Sequence, residues 1–368
     1  MDITFCTFYF DIDRKNWKHF TVSNEMYMCW FDNLLSLDIN LFIVTEKKFI
    51  NRILESRKKI DPQLKKTIIN ETTIEALTGY KLYNKKLEQL MYSNDFKSII
   101  HHRDVPEMCK PLYNVLMFNK VHYLEEVLKI NPFNTEYFSW VDAGFIRSSS
   151  EVENIEQWPD PSKLLLKKDK IKFFCINPNV FSDLKKDVNS AKYHLLSQMR
   201  FLKGTIFFLH KDLISPLKDK FDFYVNDSIS KGFIGSDEKI FDLCCANNPD
   251  MFDLYQCNWR EELKLFSRNY TKPSILEYTV SIEWKESDIE KSNDYQFWFF
   301  CIEDGNGKSI MREDFQISSE EDYQKYKNYK NTYKVISDRK PENFVIWPVS
   351  KSKGYLRYVR HPVKHIIN

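Results

Sequence analysis

The sequence predicts an α/β protein in which a helix-flanked sheet is followed by a small β-rich unit. Two observations point to the sheet. The opening stretch ITFCTFYFDI is rich in β-branched and aromatic residues and reads as a buried strand. After it come EMYMCWFDNLLSL, with apolar residues at helical spacing, and INLFIVTE, a second strand, so the chain starts as strand, helix, strand. A third observation points to the β unit: in LEYTVSIEW, Leu276, Tyr278, Val280, Ile282 and Trp284 alternate with Glu277, Thr279, Ser281 and Glu283, the pattern of a half-exposed strand.

The remaining elements follow in order. Residues 46–100 are highly charged, with apolar positions that fit surface helices broken near Pro62 and Gly79, and are expected to form a helical insertion. Pro111 opens PLYNVLMFNKVHYLEEVLKI, where proline suits a first helical turn and Leu112, Val115, Val121, Leu124 and Leu128 build an apolar side. That helix leads into the strand-like YFSWVDAG. Ser150 and Glu153 stand at capping-box spacing and predict a short helix. KIKFFCI and KGTIFFLH read as strands, DLKKDVNSAKYHLLSQM as a helix, and SDEKIFDLCC as a helix starting after Ser236. Beyond Pro273, YQFWFFCIEDGNGKSIMREDF reads as a hairpin around Gly305 and Gly307, and NTYKVIS, NFVIWPVS and GYLRYVRH as further strands. Two domains are expected, 1–270 and 271–368, since 368 residues exceed what one core usually serves.

Composition excludes several function classes. The 54 basic and 52 acidic side chains leave a net charge of +2, with no basic stripe interleaved with aromatics, so nucleic acid is not an expected partner. The stretch LLSLDINLFIV is broken by Asp38 and Asn40 and falls short of the roughly 18 to 20 residues of a bilayer span. MDITFCTFYF lacks the basic start of a secretory signal, and the eight cysteines form no CxxC pair, so a cytoplasmic protein with buried thiols is expected. No GxSxG, Walker or HExxH motif occurs. His361 and His365 have the spacing of a helical metal pair, but Pro362 lies between them.

The chemistry-bearing candidate is Asp142, an acid at the end of an aromatic strand. In an open α/β sheet, ligands collect at the carboxyl ends of strands. One carboxylate plus diphosphate oxygens and water suits Mg²⁺ or Mn²⁺, and Gly144 would let a ligand approach the backbone. The bland reading is a turn that begins at Asp142 and uses Gly144 for its conformational freedom. Arg14 could bind phosphate through its paired donors, or pair on the surface with Asp11 or Asp13. Asp237 and Glu238 could act on a substrate or simply complement a helix dipole.

These pieces together resemble the bacterial HtrL/YibB-like family, of GT-A glycosyltransferase type. TFYFDIDR is similar to its first strand and arginine-bearing loop, LYNVLMFNKVHYLEEVLKINPFNTEYFSWVDAG to its helix-to-WIDAG segment, and SDEKIFDLCCANNPDMFDLYQCNW to its acid-bearing helix. The resemblance covers residues 1 to about 262 and implies a GT-A-like, Rossmann-type mixed sheet. By it, Asp142 stands at the first acid of the DxD motif and is the metal ligand, with Mn²⁺ or Mg²⁺ as cofactor. Here the motif reads Asp142, Ala143, Gly144, so the second acid is missing. Lys120 looks like the lysine that reaches phosphate or donor sugar. Thr7, Phe8, Tyr9 and Arg14 would lie near the nucleotide, with Thr45 and Glu46 close by. Asp237 and Glu238 resemble the catalytic acidic pair, and Gly204 the glycine beside the acceptor.

The implied function is transfer of a sugar from a nucleotide diphosphate donor, a UDP-sugar above all, to a hydroxyl of a glycan or glycoprotein acceptor. The alternative is an inactive glycan-binding or assembly protein on the same fold. A glycoside hydrolase ranks third. Trp284, Trp298 and Trp347 could give the C-terminal unit a role in sugar binding or homo-oligomer formation.

Overall fold

The computed structural model describes residues 2–100, 103–153, 155–176, 184, 191–197, 201–257 and 261–269, together with the strands after 275. It divides into two units, Met1–Tyr270 and Thr271–Asn368.

The first unit is built on seven strands: β1 (Ile3–Tyr9), β2 (Asn40–Thr45), β3 (Thr67–Glu71), β4 (Tyr137–Val141), β5 (Ile171–Cys175), β6 (Leu202–His210) and β7 (Phe252–Gln256). They pair in the order β3-β2-β1-β4-β6-β5-β7. β6 alone among them runs against the rest, pairing antiparallel with both β4 and β5. The sheet is therefore mixed, and helices cover both of its faces.

Every residue of β1 is buried because the strand feeds two cores at once. Cys6 and Phe8 join a cluster with residues of the Thr78–Met91, Pro111–Ile130, Ile214–Ser230 and Asp237–Asn247 helices. Ile3, Phe5 and Tyr9, on the opposite face, join the Asn24–Leu35 helix. A strand sandwiched this way needs side chains that can be buried on both faces, hence the run ITFCTFY without a charged residue.

The Pro111–Ile130 helix delivers the chain to β4. Pro111 occupies its first turn, where a missing N–H costs nothing. Asn131 ends it in the left-handed region at φ 37°, and its amide clamps the Thr135 backbone with two bonds of 3.1 Å. Thr135 in turn bonds the Thr4 hydroxyl at 2.6 Å, tying the start of β4 to β1. Cys6 pairs with Trp140 in the parallel ladder, so Asp142 stands level with Phe8 just beyond the strand end.

Several expectations need correction. The 46–100 segment is not helical throughout: Thr67–Glu71 adds an edge strand, pinned by the fully buried Arg57. Its guanidinium donates to the carbonyls of Leu35, Leu37 and Ile39 and to the Thr67 hydroxyl. Ser150 lies in a single 3-10 turn, Ser149–Glu151, too short to be the expected helix. The Ile214–Ser230 helix and β7 have no counterpart in the sequence reading. Most of the helix expected over 183–199 lies outside the described residues, which include its Lys192–Leu196 part. Cys6, Cys175, Cys244, Cys245 and Cys257 are buried free thiols as expected, whereas Cys29 is exposed.

The second unit is all β in its described elements. β8 (Leu276–Trp284) pairs antiparallel with β11 (Tyr329–Ser337) and β15 (His365–Ile367). β9 (Tyr295–Glu303) lies between β10 (Ser309–Gln316) and β12 (Asn343–Ser350), which also pairs β13 (Gly354–Tyr355) and β14 (Val359–Pro362). The β9–β10 pairing is the expected hairpin, while GYLRYVRH divides between two strands. The side chains of His361, His365 and the three tryptophans lie outside the described residues.

Candidate functional site

A cleft opens where β1 and β4 end. From β1 the strand order proceeds to β2 and β3 on one side and to β4 on the other, which makes the β1–β4 boundary the place where strand order reverses. Connections leaving the two strands diverge there and leave a crevice beyond their carboxyl ends. Phe8, Tyr9 and Phe10 line it from one strand, and Asp142 and Ala143 from the other. Its empty volume is about 1070 Å³ including the open mouth.

Two helices supply the walls. The Pro111–Ile130 helix presents Tyr113, Leu116, Met117 and Lys120, spaced so that they share one face. The Asp237–Asn247 helix directs its first turn inward, with Asp237 and Glu238 on the lining. Ser236 precedes this helix without bonding its free N–H groups through the side chain. The two acids are turned to other partners: Glu238 Oε1 accepts the Gly204 N–H at 3.2 Å, and Asp237 Oδ2 lies 2.8 Å from Lys120 Nζ.

Lys120 organises the site. It is 1% exposed, and its ammonium meets three oxygens: Asp142 Oδ1 at 3.0 Å, Asp237 Oδ2 at 2.8 Å and the Gly204 carbonyl at 2.9 Å. The Gly204 carbonyl accepts a hydrogen bond, while the two carboxylates are held as ion pairs and Asp237 Oδ2 has no hydrogen-bond partner. Burial pulls the lysine pKa down, but the two carboxylates outweigh it and hold the group above its ordinary value. Asp142 is fixed further by Trp140, whose indole N–H donates to Oδ1 at 2.7 Å, and by its own N–H, which donates to the Thr205 carbonyl at 2.8 Å. Burial pushes the Asp142 pKa up and Asp237 adds to this, against the pull of Lys120 and Trp140; the net direction is upward.

Arg14 reaches the cleft from the loop after β1. Asp13 takes the left-handed region at φ 58°, which aspartate tolerates, and receives the Asn16 side-chain amide at 2.7 Å. The Arg14 guanidinium carbon sits 5.2 Å from the Trp17 ring centre and 5.5 Å from that of Tyr27. Its Nε is buried with no hydrogen-bond partner. Asp11, the expected surface partner, pairs instead with Lys48 at 3.0 Å.

The family model described as "Bacterial protein of unknown function (HtrL_YibB)" matches residues 1–268, well over half of the chain. The chain belongs to the HtrL_YibB family. That match spans all seven strands and every residue of the cleft. No curated protein matches the sequence. Among solved structures, the galactosyltransferase LgtC in complex with donor and acceptor sugar analogues aligns over 66% of this chain and 70% of its own. Identity is 6% and the TM-score 0.34.

Of the expected site residues in this HtrL_YibB chain, Phe8, Tyr9, Arg14, Lys120, Asp142, Ala143, Asp237 and Glu238 share the cleft lining. Thr7 and Thr45 do not: both are fully buried in the sheet, and the Thr45 hydroxyl donates to the Tyr9 carbonyl at 2.8 Å. Glu46 accepts the Asp11 N–H at 2.8 Å and so shapes the Arg14 loop without entering the cleft. Gly144 is small for Tyr27 and not for a ligand, since a Cβ there would lie 3.0 Å from the Tyr27 hydroxyl. Gly204 lies within β6, where a Cβ would come within 2.9 Å of Glu238 Cγ and 3.0 Å of Asp237 Oδ2. It admits the acid-bearing helix rather than an acceptor.

Tyr27, Tyr113, Asn24, Arg147 and Trp140 belong to the site and were missed. Trp140 had a signal, because it precedes Asp142 by two in a strand and must share its face. Tyr113 had one too, standing seven residues before Lys120 on the same helix, whereas Tyr27 had none, lying on a helix far from the motif.

The expected Mn²⁺ or Mg²⁺ at Asp142 meets a cation already there. Asp142 Oδ1 accepts from Trp140 and ion-pairs with Lys120, Asp237 ion-pairs with the same ammonium, and position 144 offers no carboxylate. Among the described residues no three histidine, cysteine or acidic side chains converge as a metal set. These residues do not fit a resident divalent ion. No helix among the described residues is long and apolar enough to cross a membrane.

Proposed function

We propose that the chain is a glycosyltransferase that moves a sugar from a nucleoside diphosphate donor, a UDP-sugar above all, to a hydroxyl of a glycan or glycosylated acceptor. The observation carrying this reading is the position of the cleft at the β1–β4 reversal, with Asp142 at the strand end and Lys120 joining it to Asp237. Open sheets bind nucleotides at such places. The rings of Phe8 and Tyr9 offer an apolar wall for a base, and Arg14 offers paired donors for phosphate. Asp237 and Glu238, on the far wall, supply a carboxylate to take the proton of the attacking hydroxyl. The C-terminal β unit is proposed as a glycan-binding or self-association module.

Release of free nucleoside diphosphate from a panel of nucleotide sugars, with glycan acceptors present, tests the reading. Turnover with one donor, lowered about 10² to 10⁴-fold in Glu238→Gln or Asp237→Asn, supports it. Tight glycan binding with no turnover across the panel would instead identify an inactive binding protein.

A further inference from the structure

We propose that the cleft takes the diphosphate of its nucleotide ligand on Arg14 without a divalent metal ion, Lys120 standing permanently where that ion would sit. This rests on the nucleotide-sugar reading above and specifies how that site handles charge.

Lys120 already does the electrostatic work of a resident cation. Its ammonium lies between Asp142 and Asp237 and is completed by the Gly204 carbonyl, all at 2.8 to 3.0 Å. A hard divalent ion binds oxygen at about 2.0 to 2.1 Å and needs near-octahedral surroundings. To use Asp142 Oδ1 it would share an atom that already ion-pairs with an ammonium and accepts an indole N–H, and would face that ammonium across it. The lysine is tethered to the fold and buried, so it is not displaced as a hydrated ion would be. Its single positive charge offsets one of the two acids and so weakens their repulsion of an anionic ligand.

Two arginines also line the cleft, and of these Arg147 is engaged, its Nε donating to the Gly144 carbonyl at 2.7 Å, while Arg14 keeps a donor unfilled for the ligand. Its guanidinium is steadied by the Trp17 and Tyr27 rings, its Nε is buried without a partner, and no carboxylate pairs with it among the described residues. A buried, unpaired donor is costly unless something fills it. A phosphate fits, because the guanidinium fork matches two of its oxygens. Tyr27 and Tyr113 border the same space. Burial and the nearby acids raise both phenol pKa values, so their hydroxyls remain donors.

The test is direct titration of UDP, GDP and ADP into the full-length protein, once with EDTA and once with excess Mn²⁺, alongside Mn²⁺ alone followed by electron paramagnetic resonance. The expected result is one nucleotide binding with the same Kd, within about twofold, in both buffers, with no Mn²⁺ bound by the protein alone. Arg14→Gln, checked for an unchanged melting curve, is expected to weaken that binding at least tenfold in EDTA. Binding that requires Mn²⁺ would overturn the metal-free proposal and leave the nucleotide-sugar reading standing. Unchanged affinity in Arg14→Gln would overturn the role of that residue. Absence of binding by any nucleotide in either buffer would overturn both.

Discussion

The indole N–H of Trp140 donates to Asp142 Oδ1 across 2.7 Å, from two residues upstream on the same face of β4. Trp140 is fully buried and packs on Phe8 at a ring distance of 4.8 Å, so the core itself fixes where this carboxylate points. Trp140→Phe keeps most of the packing and removes the donor. A hydrogen bond to a charged group contributes about 1.5 to 3 kcal/mol. Urea unfolding is expected to show a loss of that size, and nucleotide affinity is expected to fall because Asp142 and Lys120 lose their orientation. Unaltered stability and binding would mean the bond is incidental.

Lys120 holds two carboxylates. Lys120→Met leaves Asp142 and Asp237 facing each other without a counter-charge, and breaking a buried pair in this way costs about 3 to 5 kcal/mol. The double variant Lys120→Met with Asp237→Asn is expected to recover part of the loss, since one of the stranded charges is gone. Denaturant midpoints of the single and double variants compare the two. Equal loss in both would show that the ammonium acts through packing alone.

Gly204→Ala tests the seat of the acid-bearing helix. A Cβ 2.9 Å from Glu238 Cγ and 3.0 Å from Asp237 Oδ2 forces both acidic side chains out of their present positions. Overpacking of this kind costs about 1 to 3 kcal/mol. Thermal melts should fall accordingly, and turnover should fall further than donor affinity, because the displaced groups are the acids.

Asp61 gives a pH dependence away from the site. Burial pushes its pKa up, but the N–H groups of Lys66 and Lys65 and the Thr67 hydroxyl outweigh this and hold it below the ordinary value. A carboxylate depressed in the folded state contributes stability that is fully present above its unfolded pKa of about 3.9 and is lost as pH falls through the folded value. Unfolding free energy should therefore drop as pH falls below about 4 in the wild type, and less steeply in Asp61→Asn. Parallel slopes would contradict the assignment.

Much of the fold was legible because its local signals agree with its tertiary setting. β1 and the Pro111–Ile130 helix are a doubly buried strand and a proline-started helix, and both read directly. β3 was hidden by charge: it is an edge strand, TIINE, largely exposed on one side. The Ile214–Ser230 helix was passed over although Leu217, Phe221 and Val225 recur every fourth residue. At the site, Asp142, Lys120 and Arg14 could be singled out by type and order. What order could not show is that Lys120, 22 residues before Asp142, is also bound to Asp237, 117 residues after Lys120. Nor could it show that Gly144 and Gly204 are small for protein neighbours, which only the packed structure brings to them.

The most direct test of the nucleotide site is a crystal structure of the full chain soaked with UDP in the presence of EDTA. The expected density places the diphosphate on Arg14 in the cleft between the ends of β1 and β4, with Lys120 still bound to Asp142 and Asp237. A nucleotide bound elsewhere, or an empty cleft at a UDP concentration that saturates the protein in solution, would contradict it.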